Sequence, residues 1–175
     1  ARTPEELLGA FERFLTLHSQ RWRKRGLPGA FALPGRQALH RRWLAEAAEH
    51  ERAFFLTLWH GGDPKGVLYG MRTNGRTYFY QSGFDPGASA LSPGTVLVSS
   101  AIRMAIEWGD REFDFLRGNE PYKKRWMPQQ SWNNVRLLVT GTNVAARIGS
   151  LVTGLGSQAE ERIRQRLEGK GLLSR

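Results

Sequence analysis

The sequence predicts an α/β (α+β) fold: a mixed, mainly antiparallel sheet flanked by helices, with a C-terminal helical tail. Three observations predict it. Two stretches of helical periodicity precede the first strand-like run. Asn74-Gly75 sits between two apolar runs and reads as a hairpin turn. A further helical pattern from Ser92 then leads into a short apolar run, Glu112–Leu116, giving the order α-α-β-β-β-α-β. The 175 residues, 40% hydrophobic and 11% aromatic, suffice for one buried core and argue against disorder.

Each element has its own signal. Thr3-Pro4-Glu5-Glu6 combines a capping box with proline at the first helical position. Leu7, Leu8, Phe11, Phe14, Leu15, His18 and Trp22 follow at helical spacing, and Gly26-Leu27-Pro28-Gly29 stops the helix. The spacing predicts a second helix over Arg36–Glu49, with Leu39, Trp43 and Ala47 on one face. Ala53–Trp59, Val67–Arg72 and Thr77–Ser82 read as three strands of a meander, with Gly61-Gly62-Asp63-Pro64 as the first turn. Gly83–Ser92 reads as loop. Ser92-Pro93-Gly94 starts a third helix, continued by Leu97, Ala101, Met104, Ala105 and Trp108 and ended by Gly109-Asp110. A basic aromatic segment, Tyr122–Trp126, follows. Val135–Thr140 is a further expected strand, and Val144, Ile148, Leu151, Val152 and Leu155 mark a helical tail. The expected division is a domain over 1–141 and an amphipathic tail over 142–175, packed on it or on a partner.

Charge and composition narrow the function classes. The net charge of +10 points to an anionic partner such as nucleotide phosphates, tRNA or an acidic substrate. Residues 117–141 hold five basic groups and one acidic, whereas 91–116 hold two basic and four acidic. Cysteine is absent, which removes disulfides, thiolate metal sites and a cysteine nucleophile, and fits a reducing, cytoplasmic compartment. No apolar run approaches the roughly 20 residues needed to span a bilayer. The four histidines show no metal-ligand spacing, so no metal is expected. A nucleic-acid-binding module fits the basic charge, but no RNP or zinc motif is present.

Local sequence goes further than element order. Leu91-Ser92-Pro93-Gly94-Thr95, then Trp108-Gly109 and the run Phe113-Asp114-Phe115-Leu116-Arg117-Gly118-Asn119-Glu120-Pro121-Tyr122-Lys123-Lys124-Arg125-Trp126, resembles the CelD-like acetyltransferases of the GNAT superfamily. Leu17-His18, Arg21-Trp22 and Gly26-Leu27-Pro28-Gly29 are similar to the same family. The resemblance covers roughly residues 10–140. It implies the second lobe of a tandem pair related to the FemAB proteins, with a first lobe or a homodimer partner outside this chain. It also implies acyl transfer from acetyl-CoA or another acyl-CoA to a small-molecule or cell-envelope amine. FemAB-like transfer from aminoacyl-tRNA is the alternative, and a non-catalytic domain of the same fold is another.

The residues can then be assigned roles. A helix N-terminus offers unpaired N–H groups and a positive dipole end, which suit a pyrophosphate. Ser92, Gly94 and Thr95 are therefore candidate donor-binding residues, joined by Arg117 and Lys123, which follow the last strand. Tyr122 is a candidate general acid and Glu120 a candidate base, and the resemblance implies that Lys123 lies at the donor and acceptor junction. Tyr122 and Trp126, four residues apart, equally suit the buried side of a short helix. His18, Trp22 and Gln81 are candidate substrate-binding residues. Asp114 alternates with Phe113 and Phe115, so a buried acid there needs Arg117 or Lys123 as partner.

Overall fold

The computed structural model describes residues 3–118, 120–135, 137, 139, 141, 143, 149 and 151–153. The chain divides into two compact units, 1–116 and 117–175.

In the first unit, helix α1 spans Pro4–Lys24. The capping box forms as expected: Glu6 N donates to Thr3 Oγ1 at 3.2 Å, and Glu6 Oε2 accepts from Thr3 N at 3.4 Å. Leu7, Ala10, Phe11, Phe14, Leu17 and His18 recur on its buried face. Helix α2 spans Pro34–Glu49 and starts two residues before the expected Arg36, because Pro34 is well suited to a first helical position. Its buried face is His40, Leu44 and Ala47, whereas Leu39 is exposed. Ala47 is buried as expected, while His40 and Leu44 take the places expected for Leu39 and Trp43, with Trp43 partly buried against the core. His40 turns inward because two phenols meet its ring, Tyr69 at Nδ1 (3.1 Å) and Tyr80 at Nε2 (3.2 Å).

Strands β1 (Ala53–His60), β2 (Asp63–Thr73) and β3 (Arg76–Phe84) form an antiparallel meander, and β4 (Glu112–Asp114) pairs parallel to β3. The sheet order is β1-β2-β3-β4. α1 and α2 cover one face. There Phe11, Phe14, Phe31, Phe55 and Tyr69 form a buried aromatic core, with the Phe55 and Tyr69 rings stacked at 4.4 Å. α3 (Pro93–Glu107) covers the other face with Leu97, Val98, Ala101 and Ala105. Two glycines permit that second layer. A Cβ at Gly66 would lie 2.9 Å from Leu97, and one at Gly70 would enter the ring of Phe54.

Strand boundaries differ from expectation, and β2 already starts at Asp63, inside the expected Gly61–Pro64 turn. β3 continues to Phe84, and the expected loop is largely a 3-10 turn over Pro86–Leu91, capped by Asp85, whose Oδ1 accepts from Gly87 N at 2.8 Å. β4 stops at Asp114 rather than Leu116. The Asp114 carboxylate accepts from Leu116 N at 2.6 Å, a local turn in which Leu116 takes a φ of 57°. Asp114 thus finds its partner in its own backbone instead of in Arg117 or Lys123.

In the second unit, α4 is a single turn, Pro121–Lys124. Of the expected strand at 135–140, the described residues Val135, Leu137 and Val139 lie outside any strand and are exposed. Apolar alternation there finds no neighbouring strand among the described residues, and an isolated strand has no ladder to hold it. Arg136, Leu138 and Thr140 lie outside the described residues. Of the tail, Gly149 and Leu151–Thr153 are helical, while Val144, Ile148 and Leu155 lie outside the described residues.

Candidate active site

The first turn of α3 is open. Ser92 precedes it in the left-handed region, φ 47° and ψ 50°, and its side chain makes no capping bond. Thr95 N and Val96 N fall back on the Ser92 carbonyl at 2.9 and 3.2 Å. A Cβ on Gly94 would meet nothing within 4 Å, and Gly94 has no positive φ. Neither its conformation nor its neighbours therefore require glycine at 94. Pro93 has no N–H, so among the described residues the Gly94 amide is the first-turn donor that neither a side chain nor the Ser92 carbonyl takes up, and it borders open space between the exposed Ser92 and Thr95.

Beside this turn, β3 offers a second open feature. Its pairing with β4 covers only Arg76–Tyr78. From Phe79 to Phe84, β3 is paired on the β2 side, and no further strand lies on its other side among the described residues. Gln81 lies in this stretch, half-buried, its Oε1 accepting from Ser82 N at 3.2 Å.

His18 and Trp22 are brought together on α1, ring centroids 5.9 Å apart, beneath Gly29. Gly29 has a φ of 75°, and a Cβ there would lie 2.8 Å from both rings. On the other side, a Cβ at Gly83 would lie 2.5 Å from the His18 backbone nitrogen. His18 is thus wedged between a loop and a strand that both approach through glycine. Burial, then the nearby charge of Arg21, lowers its pKa to about 4, so the ring is neutral at pH 7. Its Nε2 and the Trp22 Nε1 are buried without a protein partner.

Around α4, Lys123 is buried, and its ammonium lies 2.9 Å from Glu120 Oε2 and donates to the carbonyls of Arg117 (3.1 Å) and Gly118 (3.2 Å). Gly118 has a φ of 115°, and a Cβ on it would strike the Glu120 carboxylate. Lys123 therefore gathers Arg117, Gly118 and Glu120 around one charge. Arg117 is exposed and Tyr122 half-buried.

Two polar groupings escape sequence reasoning. One is the Tyr69–His40–Tyr80 chain already described. The other joins Arg72 to Asp110 through Nε (2.9 and 3.0 Å) and Nη2 (2.8 Å), with Thr77 Oγ1 donating to Asp110 at 2.6 Å. Those hydrogen bonds, chiefly from Arg72, hold the Asp110 carboxyl below its ordinary pKa. Only the Gly109-Asp110 stop signal hinted at this residue. Among the described residues no cluster of His, Asp or Glu could hold a metal ion, and no helix is long and apolar enough to cross a membrane.

Helices on both faces of a meander, with a fourth strand parallel to the third, define a mixed, mainly antiparallel α/β domain. The chain belongs to the GNAT acetyltransferase domain family, whose model matches residues 1–124. It is similar in fold to an aminoglycoside acetyltransferase from an uncultured soil metagenomic sample, solved in complex with sisomicin, at 14% identity and a TM-score of 0.54, covering 80% of this chain and 93% of that one. It is also similar to a transcriptional regulator from Bacillus halodurans, at 16% identity and a TM-score of 0.53, covering 75% and 94%. An aminoglycoside N-acetyltransferase in complex with CoA matches at 13% identity and a TM-score of 0.40, covering 73% and 95%. No curated protein matches the chain in sequence.

Proposed function

We propose that this domain transfers an acetyl group from acetyl-CoA to a primary amine by direct attack in a ternary complex. The observation that carries this reading is the uncapped first turn of α3 at Ser92–Thr95, with open space at Gly94, in a chain of the GNAT family. The donor's pyrophosphate would accept from the Gly94 amide, favoured by the helix dipole. Its amide-bearing arm would run along the open edge of β3, hydrogen-bonding as an added strand does. Attack by the neutral amine moves charge onto the carbonyl oxygen, and collapse releases the CoA thiolate. From the resemblance alone, Tyr122 is proposed as the acid for that thiolate, Glu120, held by Lys123, as the base for the amine, and Arg117 as a donor-phosphate contact. His18, Trp22 and Gln81 would meet the acceptor.

Direct transfer suits a chain without cysteine. Mass spectrometry after incubation with acetyl-CoA alone should find no stable adduct. A stoichiometric acylated residue required for turnover would establish a covalent route instead. Binding supplies the wider test. Saturating CoA, at about 100 times its dissociation constant, should stabilise the chain by roughly 2.7 kcal/mol, and absence of any CoA effect would overturn the assignment of the donor. The excess of basic residues favours a second donor, aminoacyl-tRNA, as in the FemAB proteins. Salt-sensitive tRNA binding combined with indifference to CoA would select it. We place this chain as the second lobe of a tandem pair acting in the cytoplasm, with a domain at 1–141 and a tail at 142–175.

A further inference from the structure

A cleft of about 470 Å³ opens between α1, the Pro28–Ala32 loop and α2, within the size range of small-ligand sites. Glu12, Thr16, Ser19 and Arg23 line it from α1, and Gln37 and Arg41 from α2. Its electrostatics are one-sided. Between Glu12 and Glu46 the chain carries eight Arg and Lys residues and no Asp or Glu. Among the described residues Glu12 is the single carboxylate on the cleft, and Arg41 occupies both of its oxygens, at 2.7 and 3.1 Å. Arg23 is exposed, and its Nη2 lies 3.0 Å from the uncharged Ser19 Oγ. His18 also lines the cleft, with Nε2 lacking a protein partner. The cleft thus combines net positive charge with hydroxyl and amide groups whose donors already serve the backbone, at Glu12 O, Thr16 O and Phe31 O.

We propose that this cleft receives an anionic group on the acceptor, a phosphate or a carboxylate carried by the amine-bearing molecule. The acceptors would then be anionic amines rather than polycations. The inference rests on the acetyl-transfer reading above and adds the acceptor's charge class to it. A planar guanidinium such as Arg23 pairs with phosphate and carboxylate through paired N–H donors. A polycationic amine would meet Arg23 and Arg41 with no unpaired carboxylate to receive it.

The test compares four amines by acetyl-CoA-dependent CoA release: glucosamine, glucosamine 6-phosphate, muramic acid and kanamycin. Glucosamine 6-phosphate or muramic acid should exceed glucosamine and kanamycin in kcat/KM by roughly tenfold or more, and which of the two leads separates phosphate from carboxylate. Arg23→Gln should remove most of that advantage while leaving CoA affinity unchanged. Glu12→Gln frees Arg41 and should strengthen it, and because the Glu12–Arg41 pair is exposed the fold should persist. Equal or better use of glucosamine or kanamycin, or an unchanged ratio in Arg23→Gln, would overturn the inference. If no amine is acetylated although CoA binds, the acetyl-transfer reading fails by itself. The cleft is then judged by calorimetry with glucosamine 6-phosphate in the presence of saturating CoA. Binding weakened roughly tenfold by Arg23→Gln would sustain an anion site, and no binding would overturn it.

Discussion

The first turn of α3 and the turn into α4 both bring polar groups to a helix start, and they differ in what answers those groups. At α3 no side chain caps the helix, Ser92 holds a left-handed conformation, and a Cβ on Gly94 would meet nothing within 4 Å among the described residues. At α4 the ammonium of Lys123 is met by Glu120 and two carbonyls, and Gly118 is shaped to let that carboxylate in. The Arg72–Asp110–Thr77 grouping is closed in the same way. A charged residue whose partners are all protein contributes to the fold, whereas an uncapped turn facing space is free for a ligand. The more conspicuous charge cluster in the sequence is thus the more occupied one in the structure.

The closed clusters can be broken, and the effect should be on stability. Asp110 has a fully buried side chain, and Asp110→Ala leaves Arg72 without its carboxylate. Removal of one partner of such a pair should cost about 3–5 kcal/mol in denaturant unfolding. A loss under about 1 kcal/mol would mean that solvent replaces the pair. Lys123→Met should cost somewhat less, about 3 kcal/mol, because Glu120 keeps partial solvent access. If Lys123 instead met donor phosphate, the same variant would keep its stability and raise KM for the donor. Measuring both on one preparation separates the two roles.

His18 gives a third, pH-dependent measure of a closed environment. Its ordinary pKa of 6.5 falls to about 4 in the fold. Between those values the unfolded chain takes up a proton that the folded ring refuses. Stability should therefore decline as pH falls from 6.5 toward 4, by up to roughly 3 kcal/mol. His40 is shifted the same way, mainly by burial, and adds to the slope. His18→Phe should flatten the curve, and an unchanged slope would place the acid sensitivity elsewhere.

The open turn should behave in the opposite sense. Gly94→Asp meets no protein atom, so its stability should stay within about 0.5 kcal/mol of the parent. Its CoA affinity should nevertheless fall by roughly tenfold or more, because the new carboxylate faces the donor phosphates. Equal CoA affinity in calorimetry would move the donor away from α3.

Much of the fold was legible because its signals are local. Thr3 through Glu6 specify a cap by their own hydrogen bonds, Asn74-Gly75 specifies a hairpin, and Ser92-Pro93 specifies a helix start, whatever surrounds them. The periodicity of α1 likewise selects its buried face. Family motifs pointed to acetyl transfer because they repeat a constellation of residue types. What periodicity could not resolve was α2. Leu39 is the more apolar residue, yet His40 is buried, since only the folded sheet brings Tyr69 and Tyr80 to its two nitrogens. Val135–Thr140 has the alternation of a strand, but a strand exists by pairing, and pairing is not a property of six residues alone. The same holds for the polar groups that matter to function. The sequence by itself determined where the helices and turns begin and how much positive charge the chain carries. Only the tertiary structure decided which of those charges are spent on Glu120, Asp110 and Glu12, because neutralising a charge depends on partners brought close by folding.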